Sequence, residues 1–192
     1  MTLTMFKKFS RWFAGFLDDV NGKPVHYQDH NVIINRQRYR LVRGQLLDIP
    51  QLLEVEKEIY GRTPWNKMAF KIDLSRPNTL YLLLIDGDSK QLVGFIGAAF
   101  NAYAQDVHIT NFGVVPAWQH HGLGTFLMSE IERKAQADHF GSMSLEVRRS
   151  NQQAQRLYRE IGFHQTQTRA RYYRDNGEDA FDMLKKLERE GN

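Results

Sequence analysis

Val114-Val115-Pro116-Ala117-Trp118-Gln119-His120-His121-Gly122-Leu123-Gly124 is the stretch on which the reading of this chain turns. An apolar, strand-like run stops at Pro116, a Q-x-x-G-x-G loop follows, and a helical pattern opens at once. That order makes a pocket for a phosphorylated ligand. The first N–H groups of a helix have no intrahelical partner, they point outward, and the helix dipole favours negative charge beside them. Gly122 and Gly124 lack a Cβ, so the main chain can approach a pyrophosphate closely. The spacing is neither the G-x-G-x-x-G of dinucleotide folds nor the G-x-x-x-x-G-K-[ST] of P-loops, and glycines at such a turn also serve plain packing.

The flanking segments alternate between strand and helix periods. After Gly122, the residues Leu123, Phe126, Leu127, Ile131 and Ala135 predict the buried face of a helix ending near Gly141. Ser142–Arg148 alternates, with Met143, Leu145 and Val147 on one side and Ser144, Glu146 and Arg148 on the other. Ser150 with Gln153 reads as a capping box for a helix using Ala154, Leu157, Tyr158 and Ile161, stopped by Gly162. Strands follow over 163–174 and 178–187, joined by Asp175-Asn176-Gly177. Upstream, strands are expected over 39–43, 79–85, 91–100 and 105–115. Asp48 is the expected N-cap of a helix over 49–60 closed by Gly61, and a second short helix covers 66–74. Strands and helices intermix, so the class is α/β or α+β.

At the N-terminus, Phe6, Phe9, Trp12, Phe13 and Phe16 recur at spacings of three and four, which predicts an amphipathic helix over residues 3–20. Residues 25–38 read as an irregular or strand-like linker. The domain plan is therefore an N-terminal helix and linker over 1–38 and a main domain over 39–192. The net charge of +4 is uneven: residues 1–44 hold eight Lys/Arg against three Asp/Glu, whereas the rest is near balance. The main domain thus has no basic surplus for nucleic acid. Cysteine is absent, which excludes disulfides, thiolate metal sites and an acyl-cysteine intermediate. No apolar run approaches the roughly 18–20 residues of a membrane span. Lys7, Lys8 and Arg11 break up the first apolar segment, so it is not read as a signal peptide and the expected location is cytoplasmic.

Three motifs stand in order: the Q-x-x-G-x-G loop, Leu145-Glu146-Val147-Arg148 followed by Ser150-Asn151, and Leu157-Tyr158 followed by Gly162-Phe163. Together they resemble the GNAT acetyltransferase superfamily over roughly residues 39–187, and more specifically the bacterial ribosomal-protein-alanine N-acetyltransferases. The resemblance implies the GNAT fold, a mixed central sheet with flanking helices and strands splayed to admit acetyl-CoA. It implies pyrophosphate contacts from His120, His121, Gly122, Leu123, Gly124 and Thr125, pantetheine contacts from Phe112, Gly113 and Val114, and a cofactor contact from Asn151. It implies Glu146 as general base and Tyr158 as general acid toward the coenzyme A thiolate.

Each of these residues also has a plainer reading. Glu146 could be a salt-bridged strand carboxylate with Arg148 as its partner, Tyr158 could be core packing, and Asn151 could cap its helix. His120 and His121 are adjacent at a helix start with no Cys or carboxylate motif beside them, so no metal is expected. Relatives usually carry Arg or Lys there, and histidine brings less fixed charge at neutral pH. Pro64-Trp65 and Arg169, Arg171, Tyr172 and Tyr173 resemble acceptor-site elements.

The expected function is acetyl transfer from acetyl-CoA to a protein N-terminal α-amine, most of all the N-terminal alanine of a small-subunit ribosomal protein. An α-amine titrates near about 7.7–8.0 against about 10.4 for lysine, so a base of moderate strength suffices. The competing readings are the same chemistry on another protein terminus or small-molecule amine, and a non-catalytic acyl-CoA-binding or membrane-docking module. Self-association or membrane contact would run through residues 3–20, whose aromatic face is too apolar to stay bare.

Overall fold

A computed structural model describes residues 23–188 of the chain. The helix expected over 3–20 lies outside the described residues.

Strands β1 (His30–Ile34) and β2 (Gln37–Arg43) form a hairpin, followed by helices α1 (Ile49–Tyr60) and α2 (Lys67–Leu74). An antiparallel meander of β3 (Thr79–Asp86), β4 (Leu92–Asn101) and β5 (Asp106–Val114) comes next. Helix α3 (Leu123–Ala137) then crosses to β6 (Ser142–Arg148), which runs parallel to β5. Helix α4 (Gln152–Glu160) leads into the hairpin of β7 (His164–Tyr173) and β8 (Glu178–Lys186). The eight strands among the described residues share one sheet, ordered β1-β2-β3-β4-β5-β6-β8-β7. This is the mixed α/β architecture expected from the alternating periods.

The sheet is covered on both faces, which explains why β3 is apolar at nearly every position. Leu80, Leu82 and Leu84 face the layer built with Leu123, Leu127 and Ile131 of α3. Tyr81 and Leu83 face the layer built with Leu52 and Val55 of α1 and Phe70 of α2. Tyr81 needs room on that side: a Cβ at Gly97 of the neighbouring strand would lie 2.5 Å from Tyr81 Cζ. The seated phenol donates to Asp73 Oδ2 at 2.9 Å, and Thr110 Oγ1 donates to the same oxygen at 2.8 Å.

Residues 25–38 supply β1 and the start of β2 rather than a free-standing connection. Asn35 and Arg36 form a two-residue turn with φ of 48° and 70°, the double left-handed geometry that matches strand twist. Ahead of it, Tyr27 donates its hydroxyl to Glu130 Oε2 of α3 at 2.6 Å.

Several caps differ from expectation. Asp48 does not cap α1 with its side chain; the carboxylate accepts from Gln45 N–H at 2.8 Å. Gly61 closes α1 with a φ of 68°, as read. Ser150 and Gln153 form no capping box, because Ser150 N–H is taken by Glu178 Oε1 at 2.6 Å. Asn151 caps α4 instead, its Oδ1 accepting from Ala154 N–H at 3.1 Å. Helix α3 stops at Ala137, short of Gly141, and buries Met128 in preference to Phe126.

Candidate active site

Strands β5 and β6 pair at Asp106–Ser142, Val107–Met143 and His108–Ser144, and then part. The cause lies in β5. Ala98 pairs with Ile109 and Gly97 with Asn111, which leaves Thr110 as an extra residue in the ladder. Such a bulge bends its strand. From Ile109 on, β5 follows β4 while β6 follows β8, and a gap opens between them.

The ladder decides which peptide groups face the gap. In an antiparallel pair, alternate residues bond to the same neighbour. Val115 N–H donates to Val93 O at 2.9 Å, so Gly113 bonds toward β4 while Phe112 and Val114 turn their peptides to the gap side. There, Phe112 O accepts from Tyr60 Oη at 3.2 Å, and Val114 O accepts from Gln119 Nε2 at 2.9 Å. Phe112 N–H is held by Asn111 Oδ1 at 2.9 Å. Gly113 serves packing, since a Cβ there would lie 2.6 Å from Ile59 Cδ1 of α1.

At the end of the gap stands the glycine loop. His120 and Gly122 both adopt left-handed backbone, with φ of 63° and 78°. The first intrahelical bond of α3 runs from Phe126 N–H to Gly122 O at 3.0 Å. The N–H groups of Leu123, Gly124 and Thr125 therefore stand at the open helix start. The hairpin turn braces this loop: Asn35 Nδ2 donates to His121 O at 2.8 Å. His121 Nδ1 lies 2.7 Å from Gln119 O. Gly124 lies against the Phe112 ring, 3.2 Å from where its Cβ would be.

Glu146 lies on β6 just past its last rung with β5, on the face opposite Leu145 and Val147. Its side chain is only 12% exposed. Burial pushes the carboxyl up, but His108 and then Arg169 outweigh that and hold it below its ordinary value. His108 Nε2 is 3.1 Å from Oε2, and Arg169 Nη2 is 3.6 Å from Oε1. Arg148 is not the partner. It turns to Asp175 at 2.9 Å and Glu178 at 3.2 Å, with its guanidinium carbon 3.8 Å from the Tyr173 ring centre.

Tyr158 is buried in the layer with Leu145 and Val147. Its ring lies 6.3 Å from that of Phe112 and 6.0 Å from that of Phe163. Burial pushes its phenol well above the ordinary range. Arg169 binds Asp182 at 2.7 Å as well as Glu146, while Arg171 is exposed and offers its N–H to Asp179 at 2.9 Å. Asn151 is engaged in the α4 cap.

Sequence reasoning missed two residues that organise this region. Glu56 of α1 is fully buried and accepts from Trp65 N–H at 3.0 Å and Asn111 Nδ2 at 2.9 Å. It thereby ties the Pro64-Trp65 loop to the gap-lining strand, and burial pushes its carboxyl up to about 7. His108 is the other, a polar residue inside the apolar run Val107–Ile109, which was its only signal. The loop after α1 is also bridged to the β7–β8 turn, because Arg62 binds the Asp175 carboxylate that Arg148 holds. A separate cavity of about 700 Å³ at the far edge is lined by Ile33, Arg38, Arg40 and Lys90 and includes none of the gap residues.

Residues 46–163 match the Acetyltransferase (GNAT) family. The N-alpha-acetyltransferase RimI of Mycobacterium tuberculosis is 35% identical over 141 residues, spanning 71% of this chain and 85% of that protein. The [ribosomal protein bS18]-alanine N-acetyltransferase of Haemophilus ducreyi is 30% identical over 126 residues, spanning 66% and 83%. In fold, the chain is similar to the ribosomal-protein-S18-alanine N-acetyltransferase of Escherichia coli, with a TM-score of 0.71 at 24% identity, covering 80% of this chain and 97% of that one.

Proposed function

This chain belongs to the GNAT acetyltransferase family and is an acetyl-CoA-dependent N-acetyltransferase; we propose that its acceptor is the N-terminal alanine of a small-subunit ribosomal protein. The observation that carries the reading is the gap between β5 and β6, with an open helix start at one end and the buried Glu146 carboxylate beside it. Relatives whose names state a ribosomal-protein alanine as acceptor support the choice of substrate.

The residues present fit the cosubstrate. The N–H groups of Leu123, Gly124 and Thr125, with those of His120 to Gly122 in the left-handed loop, suit a pyrophosphate. The gap-facing carbonyls of Phe112 and Val114, each with a second lone pair beyond its bond to Tyr60 or Gln119, suit an amide-bearing arm. Bound there, acetyl-CoA supplies the acetyl thioester. Glu146 takes a proton from the acceptor amine, whose nitrogen attacks directly, since no cysteine exists to carry the acyl group. Tyr158 gives its phenolic proton to the departing sulfur. Burial keeps the phenol protonated and so able to donate in the resting site; because a thiolate is a weaker base than phenolate, the transfer is uphill, and hydrogen bonding in the occupied site must offset it. His108 while its ring is protonated, and Arg169 throughout, hold Glu146 ionised despite its burial, so it is ready to accept.

The test is thiol release from acetyl-CoA against peptides with amino-terminal alanine, serine, methionine or a blocked terminus plus lysine, with mass spectrometry locating the acetyl group. Glu146→Gln and Tyr158→Phe should each lower kcat about 10²–10⁴-fold with acetyl-CoA binding kept. Both variants within twofold of the parent would sink the acid–base assignment, and a preference for the lysine side chain would sink the acceptor.

A further inference from the structure

Behind Glu146, four polar groups stand in a row that runs away from the gap. Glu146 Oε2 faces His108 Nε2 at 3.1 Å, and His108 Nδ1 faces Ser144 Oγ at 3.0 Å. Ser144 Oγ in turn faces Asp106 Oδ2, and the other Asp106 oxygen accepts from Ser142 Oγ at 2.6 Å. The backbone sets these spacings, because Asp106–Ser142 and His108–Ser144 are two of the rungs by which β5 and β6 are joined. His108 and Asp106 are buried, so bulk water does not substitute for the partners.

A hydrogen count shows what the row can do. It has three contacts, and each needs one hydrogen. The Ser144 hydroxyl brings one and a neutral imidazole brings another. With both carboxylates ionised, one contact is left without a hydrogen. The row therefore has a place for one added proton. On His108 that proton satisfies every contact: Nδ1–H donates to Ser144, Ser144 donates to Asp106, and Nε2–H donates to Glu146.

We propose that His108 is a positioning residue that takes up the proton Glu146 removes from the acceptor amine, with Ser144 and Asp106 fixing its ring. This rests on the reading of Glu146 as the base. The amine N–H bond breaks with its electron pair left on nitrogen, and an O–H bond forms on Glu146. That O–H bond breaks as an N–H bond forms at His108 Nε2, which restores the carboxylate and leaves an imidazolium. After the product leaves, the proton returns through Glu146 to water in the gap. The gain is that the carboxylate is restored as a base while the proton rests where it satisfies every contact of the row. The charged groups around the ring are Asp106 on its own strand, Glu146 from β6, Asp73 from α2 with Arg76 beside it, and Arg169 and Asp182 beyond Glu146.

The experiment is single-turnover acetyl transfer to an alanine-terminated peptide by the full chain, followed against pH and in mixtures of light and heavy water. The parent enzyme should give a bowed dependence on deuterium fraction, the mark of more than one proton in motion. His108→Gln should slow transfer about 10- to 100-fold. It should also straighten that dependence and leave the acetyl-CoA Kd within about threefold. Ser144→Ala, which keeps the His108–Glu146 contact, should slow transfer less and shift the midpoint of the pH profile. His108→Gln within twofold of the parent, or slowed with the bowed dependence intact, would overturn the proposal. If His108→Gln does not fold, an unmoved pH midpoint in Ser144→Ala would overturn it. Glu146→Gln separates the two readings. Full activity in that variant sinks the base assignment, whereas loss of activity there with parental behaviour in both others sinks only the relay.

Discussion

Gly122, in the loop proposed to hold the pyrophosphate, offers a measurement of what backbone conformation would contribute to cofactor binding. It sits at a φ of 78°, and a Cβ there would meet only Asn35 Nδ2, at an ordinary 3.4 Å. A side chain is therefore penalised by its own backbone and not by a clash. The left-handed region costs an L-residue roughly 1–2 kcal/mol, with asparagine tolerated best and β-branched residues worst. At about 1.4 kcal/mol per tenfold, that is roughly 5- to 30-fold in an equilibrium constant. A strained loop has two ways to respond. It can relax in the free enzyme, so that binding must restore it and Kd rises. It can instead stay in place, so that the strain appears as lost stability. Calorimetric titration with acetyl-CoA and chemical denaturation together capture both. Gly122→Asn should lose least, Gly122→Ala about 1 kcal/mol summed over the two measurements, and Gly122→Val about 2 kcal/mol or more. Gly124→Ala is the contrast, because its Cβ would press on Phe112 Cζ at 3.2 Å with no positive φ involved. A flat Gly122 series, or Asn worse than Val, would refute the reasoning.

Glu56 predicts an inverted pH dependence. Burial raises its carboxyl to about 7 from an ordinary 4.5, so the native state keeps a proton that the unfolded chain has lost across that window. The stabilisation is complete below about 4.5 and is lost as pH rises through about 7, in total about 3.5 kcal/mol at roughly 1.4 per pH unit. Denaturation of the parent and Glu56→Gln at intervals between pH 4.5 and 8 should give curves that converge or cross on that slope; parallel curves would remove the argument. Asp175 is held down at about 2, by Arg62 first and Arg148 as well, and it links the loop after α1 to the β7–β8 turn. Its contribution is present above the ordinary carboxylate range and fades as pH falls toward 2. Being partly exposed, the cluster contributes under about 1 kcal/mol to stability. Asp175→Asn should therefore leave Tm and the acetyl-CoA Kd nearly unchanged while raising the acceptor-peptide KM several-fold, and an unchanged KM would detach this bridge from acceptor binding.

What could be read from the chain divides along a physical line. Strand β6 was legible because its partners alternate at period two, and α3 because its apolar residues repeat at 3.6; both signals lie within one element. The glycine loop was legible for a related reason, since a helix start carries its own anion chemistry in consecutive residues. The β1–β2 hairpin was obscure because its turn is Asn35-Arg36, with no glycine to announce two left-handed residues, and β1 is a short edge strand whose Val32-Ile33-Ile34 run does not alternate in hydropathy. Ser150 and Asn151 are both good capping residues, and the choice falls to Asn151 because Glu178, far along the chain, claims the Ser150 N–H. The partner of Glu146 was misjudged for the same reason. Arg148 shares its strand face, but the β7–β8 hairpin brings Asp175 and Glu178 to Arg148, and Arg169 to Glu146. His108 and Glu56 acquire meaning only through residues far away in sequence, at Ser144 and Glu146 in one case and Asn111 in the other. The gap itself depends on Thr110, an inconspicuous residue whose extra place in the ladder parts β5 from β6. A local motif thus identifies where a cofactor phosphate would sit. The proton chemistry proposed for Glu146 rests on a sheet whose register no single element encodes, so it is the bulge and the rungs at Asp106 and His108, more than the motif, that set its surroundings.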